Sequence, residues 1–212
     1  RAESRLAYGL GGSHTAAVIW TDDPDSDLSQ LESAAEAFGQ AAGGRPLSVL
    51  ASTATRWVWA PGPVDVDSLT HAAGREVRIA IGSTGTGVDG FRRSHFDALT
   101  TQHMMARLHS PQQVAEFTDI EMVSLLTTNA DRAAVFVKRV LGDFESASPE
   151  LHSAVRMFVR EQCNVSRAAG KLFTHRNTLL RRLARADELL PRPLADNSVE
   201  VGVALDVLHW RG

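Results

Sequence analysis

Apolar residues recur along this chain at two different spacings. Residues 15–20 (TAAVIW) form a continuous apolar run of strand length, which predicts a buried strand. From Leu28 the spacing changes: Leu28, Leu31, Ala35, Phe38 and Ala42 mark one helix face, and Gly43-Gly44 ends it. Between the two, the acidic cluster 22–27 supplies a turn and a helix cap. Residues 47–52 and 56–60 read as strands three residues apart, hence a hairpin, and Pro61-Gly62-Pro63 breaks the second. A short helix begins at Asp65 or Asp67 and ends near Gly74, and 77–81 is another strand. The glycine-rich connector 82–87 leads to a long helix, capped by Asp89 and running to residue 108. Its stripe is Phe91, Ala98 and Met105. A last strand is expected at 114–118, while 1–13 has no pattern that assigns an element. The order β-α-β-β-α-β-α-β puts helices on an antiparallel-centred sheet, an α+β arrangement.

The remainder of the pattern is mostly helical. Helices are expected at 121–128 and 130–141, the second capped by Asn129 and ended by Gly142. Leu151, Val155 and Phe158 predict a further helix over 150–162. The stretch 164–190, NVSRAAGKLFTHRNTLLRRLARADELL, reads as two short helices joined by a tight turn. Asn164 or Ser166 caps the first, with Ala168, Ala169 and Leu172 as packing positions. Thr174 reads as the cap of the second, whose apolar face is Leu179, Leu183, Ala186 and Leu190. Thr178, Arg181, Arg182 and Arg185 line a different face, and Pro191-Arg192-Pro193 stops the helix. In the tail, Val199, Val201, Val203, Leu205 and Val207 alternate with period two, a strand pattern.

Charge changes the picture in one place. The chain carries −3 overall, yet residues 149–191 hold eight cations against four acids, a local +4 on an otherwise acidic protein. A basic island of this kind is an electrostatic footprint for nucleic acid. Charge alone fits a solvated helix face equally well. The paired helices, the cap and the turn spacing favour a duplex, whose phosphates the cations neutralise while polar tips reach base edges. With 212 residues, 43% hydrophobic and 22% charged, the chain has the composition of a globular protein of two domains. Its apolar runs are shorter than the ~20 residues a membrane helix needs, and no signal peptide opens it. One cysteine, Cys163, excludes an internal disulfide and fits the cytoplasm. Because the first residue is Arg1 and not Met, the chain is expected to be a fragment lacking its N-terminal part.

The run NVSRAAGKLFTHRNTLLRRL resembles the C-terminal helix-turn-helix of the PucR/CdaR family of bacterial transcription regulators. His175, Arg176, Asn177 and Thr178 match that family's His-Arg-Asn-Thr element, and Arg182-Leu183 match its continuation. Arg181 stands where an aromatic residue is usual, Ala186 where a β-branched one is, and Leu180 where a polar one is common. Residues 77–108 are similar to the strand, loop and long helix of the family's GGDEF-like, nucleotide-cyclase-shaped domain. The resemblance implies a catalytically dead GGDEF-like domain of α/β sandwich form over 1–118, a helical linker over 119–146 and an all-α helix-turn-helix domain over 147–212. It also implies a helix in the tail and control by a sensory domain N-terminal to these residues. The helix from near His175 would enter the major groove. Arg176, Asn177 and Thr178 would then meet bases and adjacent phosphates, with Arg181, Arg182 and Arg185 along the groove walls. Asn164 and Ser166 would present an amide and a hydroxyl to phosphate. His175 either packs within the turn or contacts phosphate. The expected partner is double-stranded DNA read by a homodimer over two half-sites, since one helix-turn-helix rarely binds tightly alone. No cofactor, metal or membrane partner is expected, and the effector is not identified by the sequence.

Two rival classes are an enzyme related to nucleotide cyclases and a protein-interaction or effector-binding module. The glycines 82–87 (GSTGTG) lack the Gly-Lys-Ser/Thr of a phosphate loop, which leaves a connector. At the hairpin, Thr53-Ala54-Thr55 flanked by Ser52 and Arg56 offers no carboxylate for Mg²⁺ and no glycine pair for a nucleotide. The eight histidines show no metal spacing, and His95, His103 and His109 read as surface residues. Cys163 reads as a small hydrophobe at a helix end. Trp57 and Trp59 point to one side of their strand, as core beneath a helix or as an effector or dimer contact.

Overall fold

Strand β1 (Ser13–Thr21) is buried from His14 to its end, because strands flank both its edges and helices cover both its faces. The computed structural model describes residues 3, 6–22, 28–72, 74 and 76–211, in two units, Arg1–Met122 and Val123–Gly212. In the first unit, helix α1 (Leu28–Ala41) is followed by the hairpin β2 (Leu47–Ser52) and β3 (Thr55–Pro61). Helix α2 (Val66–Ala72), β4 (Val77–Ile81) and the two-residue β5 (Gly85–Thr86) come next. Helix α3 (Gly87–Arg107) and β6 (Val114–Glu116) complete the sheet. The strand order is β2-β3-β1-β4-β6, antiparallel except for β4 and β6, which run parallel across the α3 connection, as a parallel pair requires. The expected α+β order is therefore present with one strand added: β5 lies inside the connector 82–87 and pairs with the start of β1. The turn and cap expected at 22–27 lie largely outside the described residues.

The period-two alternation of β1 decides which helix each residue meets. Ala17 and Ile19 join Leu31, Ala34 and Phe38 of α1 and Leu69 of α2 in one core. Ala16, on the opposite face, joins Trp59, with Phe91 of α3 packed against them. A strand buried on both faces shows no polar alternation, which is why 15–20 is uniformly apolar.

Several boundaries differ from those expected, most by one or two residues. Thr86, not Asp89, occupies the cap position of α3; Asp89 sits in the first turn, where its charge still favours the helix dipole. Strand β6 stops at Glu116, and helix α4 (Phe117–Leu126) starts where 114–118 had been expected to continue and ends before Thr128. The hairpin turn is tighter by one residue, Thr53-Ala54, with the Ser52 hydroxyl accepting the Ala54 N–H at 3.2 Å.

The second unit is helical: α5 (Ala130–Leu141), a 3₁₀ turn (Gly142–Ser146), α6 (Pro149–Arg160), α7 (Val165–Lys171), α8 (Arg176–Leu189) and α9 (Leu194–Trp210). Asn129 caps α5, accepting the Arg132 N–H at 2.9 Å, and Gly142 at φ +55° ends it. The tail is the helix that the family resemblance implies and not the strand its alternation suggests. Its buried residues, Leu194, Asn197, Val201, Ala204, Leu205, Val207 and Trp210, include a line recurring at three and four (194, 197, 201, 204, 207, 210), which is the helical period. Val199 is exposed and Val203 half-buried, so the alternation mixes residues from different faces. Half-buried Arg156 on α6 and half-buried Asp206 on α9 are joined at 2.6 Å, with Arg160 adding a second contact at 3.3 Å.

Candidate nucleic-acid interface

Helix α6 supports the motif from below. Ser148 caps it, its hydroxyl accepting the Leu151 N–H at 3.4 Å, and Pro149 opens the first turn with a fixed φ. Ala154 and Val155 are fully buried, with Leu151 and Phe158 half-buried beside them. The chain then reverses through Gln162 (φ +54°) and Cys163 (φ +58°), so Cys163 is exposed in a turn and not a hydrophobe tucked into a helix end.

Asn164 caps α7, its side-chain oxygen accepting the Arg167 N–H at 3.0 Å. Ser166 is exposed and receives a guanidinium N–H from Arg176 at 3.2 Å, which ties the start of α7 to the start of α8. Ala168 and Ala169 are buried, small enough to let the two helices approach. Helix α7 ends in two backbone bonds: Thr174 N–H to Ala169 O at 3.0 Å and Phe173 N–H to Gly170 O at 3.2 Å. This is the Schellman arrangement, whose left-handed position usually carries glycine. Here Phe173 holds that position at φ +49°, with 98% of its surface exposed. Thr174 is thereby used to close α7. The cap position of α8 falls to His175, which is exposed and makes no side-chain cap bond; the expected Thr174 cap is corrected on this ground.

Helix α8 buries Leu179, Leu183 and Ala186, with Leu190 continuing the same line at its end. Diametrically opposite lie Asn177, Arg181 and Arg185, at i, i+4 and i+8, all exposed. Arg176 and Leu180 are exposed on one flank. Thr178 and Arg182, both half-buried, stand on the other. Arg182 lines a shallow crevice with Asp143 and Glu150. The Glu150 carboxyl is held below its usual range by hydrogen bonds from its own backbone N–H and from Ser148, with a smaller contribution from the Arg182 charge. Arg185 is paired with Glu188, one turn on, at 2.5 Å. The four residues expected on one face thus divide into an outward pair, Arg181 and Arg185, and a flanking pair, Thr178 and Arg182.

In the first unit, Trp59 stacks on Phe91 of α3 with ring centroids 4.7 Å apart and donates its indole N–H to Phe91 O at 3.2 Å. Trp57 is half-buried, edge-on to His95 at 4.7 Å. His95 sits between the two indoles, its Nδ1 buried without a hydrogen-bond partner, and burial lowers its pKa; the surface reading of this histidine is corrected. His103 and His109 are exposed. Of the glycines in 82–87, two serve close packing: a Cβ on Gly82 would lie 1.8 Å from Ser94 O, and Gly85 touches Gly90 backbone to backbone; Gly87 instead takes φ +71°. Among the described residues no cluster of three His, Cys, Asp or Glu side chains is arranged to hold a metal ion, and no helix is long and apolar enough to cross a membrane.

Residues 151–207 match the PucR C-terminal helix-turn-helix domain, and residues 1–104 match the GGDEF-like domain. The chain therefore couples a GGDEF-like domain to a helix-turn-helix, the build of a DNA-binding transcription regulator. Within that class it belongs to the PucR-type regulators. A solved structure, the regulator of polyketide synthase expression from Bifidobacterium adolescentis, aligns with a TM-score of 0.42 at 15% identity, covering 95% of this chain and 82% of that one. No curated protein matches the chain.

Proposed function

We propose that this protein recognises a specific duplex sequence through α8 and regulates transcription as a homodimer, under a sensory domain N-terminal to these residues. The observation that carries the reading is the outward row Asn177, Arg181 and Arg185, backed by the buried Leu179, Leu183 and Ala186. Such a helix offers cations to phosphate and an amide to base edges while its own fold is secured from behind. Asn177 at the first turn is the base reader, with Arg176 and Thr178 beside it. The capping role of Asn164 leaves Ser166 and the α7 backbone N–H groups for phosphate. His175, exposed at the entry to α8, suits a phosphate contact better than packing. An effector or dimer contact at the tryptophan pair is restricted to Trp57, since Trp59 is only 6% exposed. The GGDEF-like domain is read as non-catalytic, because its hairpin presents Ser52, Thr53, Ala54 and Thr55 where metal-binding carboxylates would be needed.

Selection from a pool of random duplexes, read by gel shift, tests the proposal. Enrichment of one site, with two half-sites about one helical turn apart, is the expected result. A pool that stays random after repeated rounds rejects it. Turnover of GTP in the presence of Mg²⁺ would reject the non-catalytic reading of the first domain.

A further inference from the structure

Phe173 combines two features that each act against the isolated fold. Its φ of +49° is one that L side chains adopt at a cost and glycine adopts freely. Its ring is 98% exposed, so it returns no burial to the domain that carries it. Both features sit at the junction of α7 and α8, three residues before Arg176. Exposed cations lie on either side in sequence, Lys171 and Arg176. An apolar ring set among cations complements a surface that is anionic at its edge and apolar between its charges. Duplex DNA has that surface: phosphates outside, with deoxyribose faces and thymine 5-methyl groups within reach of the groove wall.

We infer that Phe173 is itself a DNA-contacting residue, laying its ring against a thymine methyl at the edge of the site that α8 reads. The inference rests on the DNA-binding reading above and adds to it a side chain from the turn and a preference for A·T at one position. It explains why the turn carries an aromatic residue where a glycine would satisfy the backbone better.

The test uses the whole chain and the duplex obtained by selection. Phe173→Gly suits the left-handed backbone, so its thermal midpoint should equal or exceed that of the parent. Its affinity for the selected duplex should fall about tenfold or more, the loss of a buried aromatic contact. Replacing each thymine in turn by deoxyuridine removes one methyl and should weaken the parent about fourfold at one position. The Phe173→Gly protein should be indifferent to that replacement. Equal affinity of parent and variant overturns the inference while leaving DNA binding by α8 intact. A loss with no thymine whose methyl matters overturns it as well. If the variant instead loses self-association in sedimentation equilibrium, with DNA affinity per assembled unit unchanged, the ring belongs to a protein interface and the inference falls. If the parent enriches no duplex, the DNA reading itself has failed.

Discussion

The orientation of α8 predicts an order among its arginines that composition does not. Truncating Arg181, Arg182 and Arg185 to alanine one at a time removes the same charge from the same helix. If α8 faces the duplex with its outward row, only the side chains on that row release a counterion on binding. Each phosphate contact contributes about 0.9 to the slope of log affinity against log salt, so between 50 and 200 mM salt one contact is worth about 3.5-fold in affinity. Arg181 is exposed opposite the buried face and forms no ion pair among the described residues, so its loss should lower the slope by that full amount. Arg185 must first leave Glu188. An exposed pair of this kind is worth under about 1 kcal/mol, so Arg185→Ala should lower the slope similarly but cost less affinity. Arg182 is half-buried beside Glu150 and should change the slope least. Fluorescence anisotropy of a labelled duplex over a salt series measures all three slopes. A slope that drops for Arg182→Ala and not for Arg181→Ala would show that another face of α8 meets the DNA, and the reasoning would fail.

Other consequences concern the scaffold. Asp206→Ala removes the carboxylate that half-buried Arg156 meets at 2.6 Å and should cost about 1–3 kcal/mol in urea denaturation, whereas a paired Arg156→Met, Asp206→Leu variant should recover most of it. Asn164→Ala deletes the α7 cap and should cost about 1 kcal/mol, read as a lowered thermal midpoint. Burial, aided by the Arg156 and Arg160 cations, holds His209 down to about 4, against 6.5 ordinarily. Between those values the unfolded chain binds the proton and the folded chain does not, so stability falls as pH drops from about 6.5 towards 4, by about 1–2 kcal/mol after allowing for solvent screening. Denaturation curves at several pH values should show this decline, and His209→Gln should flatten it.

Much of this arrangement was legible in the sequence because the local signals agree with the tertiary packing. The run at 15–20 is apolar throughout since both faces of β1 are covered, and Leu179, Leu183 and Ala186 keep a helical period because α8 buries one face. Asn129, Asn164 and Gly142 announced helix ends with the residue types that cap them. What failed was decided by neighbours distant in the chain or by competing caps. The valines of the tail alternate, yet the face that packs inward recurs at three and four residues. Thr174 is a good cap by type, but its N–H is committed to Ala169 O and the next helix starts one residue late. His95 read as a surface residue because nothing local reveals the two indoles on β3 that enclose it. The sequence reading also passed over Phe173. The available signal was a missing glycine: a helix ends at Lys171, Leu172 caps it, and the left-handed residue after the cap is aromatic.

The most direct test of α8 as the reading element is a chemical-shift map. The ¹⁵N-labelled protein is titrated with the duplex enriched by selection, and amide shifts are followed residue by residue. The largest changes are expected over Val165–Lys171, at Phe173 and over 176–185, with the buried Ala186 and the α9 core little affected. Changes confined to Arg1–Met122, or to Leu194–Trp210, would contradict it.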